Sequence, residues 1–207
     1  MILPRGFPGV AFGEASDGDG RHDLDVRERI STDLGISTEW ALIDQVHGCR
    51  VVWADVPGHL GEADGIVTAR RGLPLAVATA DCVPIVLVGT RTVAVVHAGW
   101  RGVAGGVATS ARRAIAELGD TVQAAVIGPH IGPCCYEVGS EVLEAVEGFE
   151  ARTTEEKVSV DLGAAIRSQL AGVETLQIPG CTAHDEEFNS YRRTRTPRRQ
   201  VTVAWIP

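Results

Sequence analysis

The chain has 207 residues, 44% of them hydrophobic and only 5% aromatic, with a net charge of −8. That length and apolar share suffice for one large domain with a sizeable core. The acidic balance disfavours nucleic-acid partners, whose phosphates it repels, and no apolar run approaches the ~18 residues a membrane helix needs.

The opening MILPRGFPGVAFGEASDGDG is broken by prolines and glycines, so no secretory signal is expected. The five cysteines then read as thiols in a reducing cytoplasm. No CxxC pair occurs, which argues against a structural zinc ribbon. Residues 13–25 are polar and glycine-rich and read as a loop. Val26 to Leu34 has helical spacing and stops at Gly35. Trp40 to Val46 and Arg50 to Asp55 read as strands around His47-Gly48, with further strands at Ile66 to Thr68 and Leu75 to Thr79.

Val83 to Val88 and Thr92 to Val96 are rich in β-branched residues and predict a hairpin. With Gly89-Thr90 as a two-residue II′ turn, Cys82 falls directly opposite His97 and on the same face. Gly102 to Leu118 predicts the clearest helix, with an apolar stripe from Val103 to Leu118. Ala124 to Ile127 reads as a short buried strand and Ser140 to Val146 as a helix. Asp161 is placed to cap a helix over Leu162 to Leu170. Thr175 to Ile178 and Gln200 to Ile206 read as late strands. Many strands are apolar on both faces, so the expected class is α+β, with mixed sheets covered on both sides. Nothing marks a domain boundary within 1–207.

The opposed Cys82 and His97 admit three readings. They are two ligands of one metal, a thiol and its base, or a buried cysteine beside a satisfied strand-end histidine. His47 in QVHG adds a third nitrogen or sulfur donor, and three protein ligands with one open position is the pattern of catalytic zinc. Asp81 is placed to accept the second hydrogen bond of a histidine ligand. GWRGVAGG, residues 99–106, follows a strand and opens a helix, so Arg101 reads either as part of an anion site or as part of a tight helix–sheet turn. The constrained loop GPHIGPCCYEVG carries His130, Cys134, Cys135 and Tyr136, and Cys134 is a candidate second thiol near the metal. SYRRTRTPRRQ reads as a solvated basic face or a phosphate-facing pair of arginines. Trp40, Trp53 and Trp205 read as packing residues.

Together QVHG, TADCVPI, HAGWRG, IGPCCYEVG and SYRR, in this order, resemble the bacterial polyphenol oxidase or laccase-domain proteins from about Gly9 to the C-terminus. The resemblance implies a single α/β/β/α layered domain and a metal held by His47, Cys82 and His97, zinc or alternatively copper. It implies purine-nucleoside chemistry: phosphorolysis of adenosine, inosine, guanosine and methylthioadenosine, with adenosine deamination. The older label is copper-dependent phenol oxidation, a separate association is with cell-wall precursor quality control, and the fold also resembles a Cys–His hydrolase type. We therefore expect His47, Cys82 and His97 to be catalytic and Arg101, Asp81 and Cys134 to bind substrate. The expected partners are purine nucleosides and phosphate, on a cytoplasmic monomer or weak homo-oligomer. Asn189 in FNSYRR and the stretch TPRRQ depart from the family pattern near the expected site rim.

Overall fold

A computed structural model describes residues 1–207 as two mixed sheets packed face to face, with helices on both outer surfaces. The first sheet contains β1 (Val10–Phe12), β2 (Ala41–Asp44), β4 (Gly58–Glu62), β6 (Leu75–Thr79) and β13 (Gln200–Ala204), in the order β1-β13-β6-β2-β4. The second contains β3 (Val51–Trp53), β5 (Gly65–Thr68), β7 (Val83–Gly89), β8 (Val93–Ala98), β9 (Val122–Ile127) and β12 (Glu174–Gln177), in the order β12-β9-β7-β8-β5-β3. A small ribbon of β10 (Glu150–Arg152) and β11 (Val158–Val160) stands apart.

Side-chain alternation explains the layers. Val86 of β7, Val93 and Val95 of β8 and Val126 of β9 meet Leu75 and Val77 of β6 and Phe12 of β1 in the core between the sheets. The alternate residues Val83, Ile85, Leu87, Ala94 and Val96 face outward. They are covered by α3 (Val107–Glu117) and α5 (Leu162–Gln169) through Val107, Ala111, Ile115, Leu162 and Ile166. Behind the first sheet, Ala76, Val201 and Val203 pack on Trp40 and on Ile30 of α1 (Leu24–Leu34). The result is the α/β/β/α sandwich. Caps fix the helices: Gly35 takes φ 65° after α1, and Asp161 Oδ1 accepts the Ala164 N–H at 2.8 Å at the start of α5.

Three expectations are corrected. The β7–β8 hairpin does not turn on Gly89-Thr90. Gly89 N–H donates to Thr92 O at 2.9 Å, and the central pair is Thr90-Arg91. The Asp120 carboxylate shapes this turn, accepting from Arg91 N–H at 2.9 Å and Thr92 Oγ1 at 2.8 Å. Gly89 serves space, since a Cβ there would sit 2.6 Å from Asp120 Oδ2. His97 therefore pairs with Pro84, not Cys82. A slip of two residues preserves the face, so Cys82 and His97 still point to the same side.

The long helix is broken into α2 (Trp100–Ala104) and α3, because Gly106 adopts φ 77° and ends the helical path. Trp53 is 43% exposed instead of packed inside, because its strand lies at the sheet edge. The short strands β1, β4, β10 and β11, and the one-turn helix α6 (Tyr191–Thr194), carry too little pattern to be read from sequence. The remaining helix, α4, spans Ser140–Ala145.

Candidate metal centre

The site lies where the layer between the sheets opens to solvent. His97 is the penultimate residue of β8, on the same face as Val93 and Val95, and Cys82 precedes β7 on the same face as Val86. His47 arrives from the turn after β2 with φ 61°, a left-handed conformation rare for a non-glycine residue. The ligand atoms of His47, Cys82 and His97 lie within 4.8 Å of one another. The two imidazoles meet edge to face, with ring centroids 4.8 Å apart.

Asp64 organises this group. The β5–β8 register pairs Gly65 with Val96, which sets Asp64 opposite His97. Its fully buried carboxylate meets His97 Nδ1 at 2.7 Å and accepts backbone N–H bonds from His47 at 3.0 Å and Gly48 at 2.6 Å. One side chain thus orients one imidazole and fixes the strained backbone of the other. Burial alone would raise the Asp64 carboxyl, but the bonds from His97, Gly48 and His47 outweigh it and hold it below its ordinary range.

The same competition acts on the sulfur. Burial would push the Cys82 thiol up, yet the neighbouring His97 charge and hydrogen bonds from both histidines bring it down to about 6. Burial would lower His97, but Cys82 and Asp64 raise it to about 9. The two opposite shifts favour a thiolate beside an imidazolium. Gly99 keeps the space clear, since a Cβ there would lie 2.7 Å from His47 Cδ2 and 3.3 Å from Cys82 Sγ.

The donor set fits a divalent metal. Two imidazoles and a thiolate suit zinc or copper, and the carboxylate on His97 Nδ1 leaves Nε2 as the ligand atom.

The group lines a cavity of about 650 Å³ together with Tyr136, Tyr191, Arg192, Arg195 and Arg199. Arg192, Arg195 and Arg199 form no ion pair, whereas Arg21, also on the wall, is paired with Asp19 at 2.8 Å. Burial, with the Cys82 charge nearby, pushes the Tyr136 hydroxyl up to about 12, so it stays a donor at neutral pH. Gln45 pins the cavity wall, exchanging 2.8 Å bonds with both the N–H and the carbonyl of Ala78.

Asp81 lines the cavity but orients neither histidine. Its carboxylate is taken by Thr182 Oγ1 at 2.7 Å and the Arg192 N–H at 2.6 Å, so the orienting acid is Asp64. Arg101 is not on the cavity wall; it stacks on Trp100 and lies 3.4 Å from Glu141. Cys134 lines a different pocket, beside Cys135. His130 is buried, with Nδ1 against Gly128 O at 2.8 Å. The sequence reading missed Asp64, Tyr136 and Gln45 as site residues. The signal for Asp64 was present: an acid in the turn ADG that opens an apolar strand must be buried and therefore paired.

An α/β/β/α sandwich carrying a His-Cys-His set where its inner layer opens defines the class of protein. The chain belongs to the family described as multi-copper polyphenol oxidoreductase laccase, which it matches over residues 9–207. It is 37% identical over 197 residues to a protein of Streptomyces coelicolor named purine nucleoside phosphorylase, covering 87% of this chain and 81% of that one. A protein of the same name from Pseudomonas aeruginosa is 35% identical over 97% of this chain and 87% of its own length. Among solved structures, YlmD from Geobacillus stearothermophilus superposes with a TM-score of 0.86 at 28% identity, over 99% of this chain and 94% of that one. The hypothetical protein YfiH of Bacillus licheniformis shares the fold, with a TM-score of 0.86 at 24% identity over 96% of this chain and 92% of its own. No helix is long and apolar enough to cross a membrane.

Proposed function

We propose that the chain is a metal-dependent purine nucleoside phosphorylase that also deaminates adenosine. One observation carries the reading: a single cavity brings a His-Cys-His ligand set together with arginines that no carboxylate neutralises. The relatives named purine nucleoside phosphorylase support the same substrate class.

His47, Cys82 and His97 would hold the metal, zinc in preference to copper, and it supplies Lewis acidity when bound. The chain's own groups do the rest. Arg192, Arg195 and Arg199 present guanidinium forks suited to a phosphate dianion. Phosphorolysis needs that phosphate held against C1′ of the ribose, where positioning removes much of the barrier. Arg192 lies over the Tyr136 ring and Arg195 over the Tyr191 ring, each 5.1 Å from the centroid, so the two rings hold these guanidinium groups at the cavity. Tyr136 keeps its hydroxyl proton and donates a hydrogen bond to charge that develops on the leaving purine. Asp64 keeps the His97 proton on Nδ1.

These arginines take the phosphate role expected of Arg101, which lies off the cavity wall. Phenol oxidation by a multicopper centre needs many histidines; the chain has six, and only His47 and His97 fall in a potential ligand group. The test is turnover of adenosine and inosine by zinc-loaded protein with and without phosphate. Phosphate-dependent release of adenine and hypoxanthine, and phosphate-independent inosine from adenosine, support the proposal. Release of none of them rejects it.

A second reading rests on the Cys82–His97–Asp64 chain, which has the order of a nucleophile, its base and the base's orienting acid. It makes the protein a metal-independent Cys–His hydrolase. Stoichiometric zinc ligated by Cys82 excludes it, because a ligated sulfur is no free nucleophile.

A further inference from the structure

Away from the main cavity, Cys134, Cys135 and Cys181 bring their sulfur atoms within 4.8 Å of one another. The Cys134 and Cys135 sulfurs are 3.6 Å apart. Both belong to a tight turn in which the Cys135 and Tyr136 N–H groups donate to Gly132 O at 3.0 and 3.1 Å. Cys181 comes from a distant segment, held by a bridge to His130 and by its N–H on Asp185 Oδ2 at 2.8 Å. Gly132 is fitted to the cluster. Its N–H donates to Cys181 Sγ at 3.2 Å, and a Cβ on it would lie 3.3 Å from Cys134 Sγ.

All three cysteines are free and partly buried. Cys134 and Cys135 line a pocket of about 290 Å³ that is also walled by Lys157, Arg192 and Arg193 and by the carboxylates of Glu137 and Glu155. Burial and the neighbouring sulfurs push the Cys135 thiol up to about 12 and the Cys134 thiol upward as well. A thiol is a weak donor and a weak acceptor, so three of them gain little from facing one another. One disulfide would leave the third sulfur over. Zinc usually takes four ligands, and no imidazole or carboxylate joins this group. An all-thiolate set selects a soft cation, and three sulfurs match one of low coordination number.

We propose that Cys134, Cys135 and Cys181 form a second metal site, separate from His47, Cys82 and His97, that takes Cu(I) in all-sulfur coordination. Each coordinating thiol releases its proton to solvent, and no oxidant or reductant is consumed. Three thiolates around one monovalent ion leave two negative charges, which Arg192 and Arg193, neither of them ion-paired, offset; Lys157 on the same wall is already paired with Glu137 at 3.2 Å and Glu155 at 3.0 Å. The Gly132 N–H on Cys181 Sγ stabilises the thiolate form further.

The test is anaerobic titration of the Cys82→Ala protein with Cu(I), delivered as its acetonitrile complex, followed by X-ray absorption at the copper edge. One equivalent bound with sulfur neighbours alone is expected. Cys82→Ala/Cys181→Ser and Cys82→Ala/Cys135→Ser are each expected to lose that equivalent while keeping the parent's circular dichroism and a cooperative melt. No uptake by the Cys82→Ala protein, retention of the ion by either double variant, or nitrogen neighbours around copper would overturn the assignment. Cys82 is absent from every arm, so the result does not depend on metal or nucleoside chemistry at the first site.

Discussion

Replacing Asp64 by asparagine keeps the shape of the side chain and removes its charge. The carboxylate is fully buried; Oδ1 meets the His97 ring and the His47 N–H, and Oδ2 accepts from Gly48 and Val46. An amide has one oxygen to offer. If that oxygen stays with His97 and His47, the new NH₂ faces the Gly48 N–H at the 2.6 Å now occupied by a hydrogen bond. Hydrogen bonds to charged groups contribute about 1.5–3 kcal/mol, so with one side lost and two donors opposed we expect about 2–4 kcal/mol of destabilisation. For a chain of this size that lowers Tm by roughly 4–16 °C. The loosened His47 turn and the unpaired His97 ring should weaken zinc binding by about 10–100-fold. The assays are thermal unfolding of metal-free protein and zinc competition against a chelator. The sign with pH follows from the depressed carboxyl: Asp64 stabilises the fold above the ordinary carboxylate range, and that contribution is lost as pH falls through its lower folded value. An asparagine variant that melts with the wild type and holds zinc as tightly refutes the assignment of Asp64.

Gly99→Ala should leave the sheets intact but drive a methyl group against His47 Cδ2 and Cys82 Sγ, lowering zinc affinity in the same competition assay without a comparable fall in Tm. Asp120→Ala removes acceptors for Arg91, Thr121 and Thr92, and denaturant unfolding should show a loss of about 2–4 kcal/mol with kcat unchanged. Because the Asp120 carboxyl is held down to about 2, chiefly by these bonds acting against burial, its contribution is complete above pH ~4 and fades toward pH ~2; the wild-type and variant stabilities should converge over that window. Arg195→Ala should raise KM for phosphate about tenfold or more, equivalent to about 1.4 kcal/mol, with little change in KM for inosine; steady-state kinetics with each substrate varied in turn checks this.

The side chains that cluster were easier to read from the chain than the path that assembles them. His47, Cys82 and His97 were legible because nitrogen and sulfur donors at strand ends are few. Strands β6 to β9 were legible as apolar runs of five to seven residues, β7 and β8 being rich in β-branched residues. The hairpin turn was misread because Asp120, some thirty residues away, organises it through side-chain bonds that local glycine chemistry does not reveal. The face of Cys82 survived that error, since a slip of two residues keeps strand parity. The break between α2 and α3 lay in view as Gly105-Gly106, but the apolar stripe ran through it and hid it. The roles of Asp64 and Tyr136 were not assigned because they depend on a register and a loop path that only tertiary structure supplies. The arginine rim was visible as a basic run in SYRRTRTPRRQ; its orientation into the cavity was not.

The most direct measurement is the metal content of the purified protein beside that of Cys82→Ala, by elemental analysis under identical handling. Close to one zinc per chain in the wild type and none in the variant is the outcome that three side chains gripping one ion requires. A wild type without stoichiometric metal, or a variant that retains it, would contradict the claim that Cys82 and the two histidines share an ion.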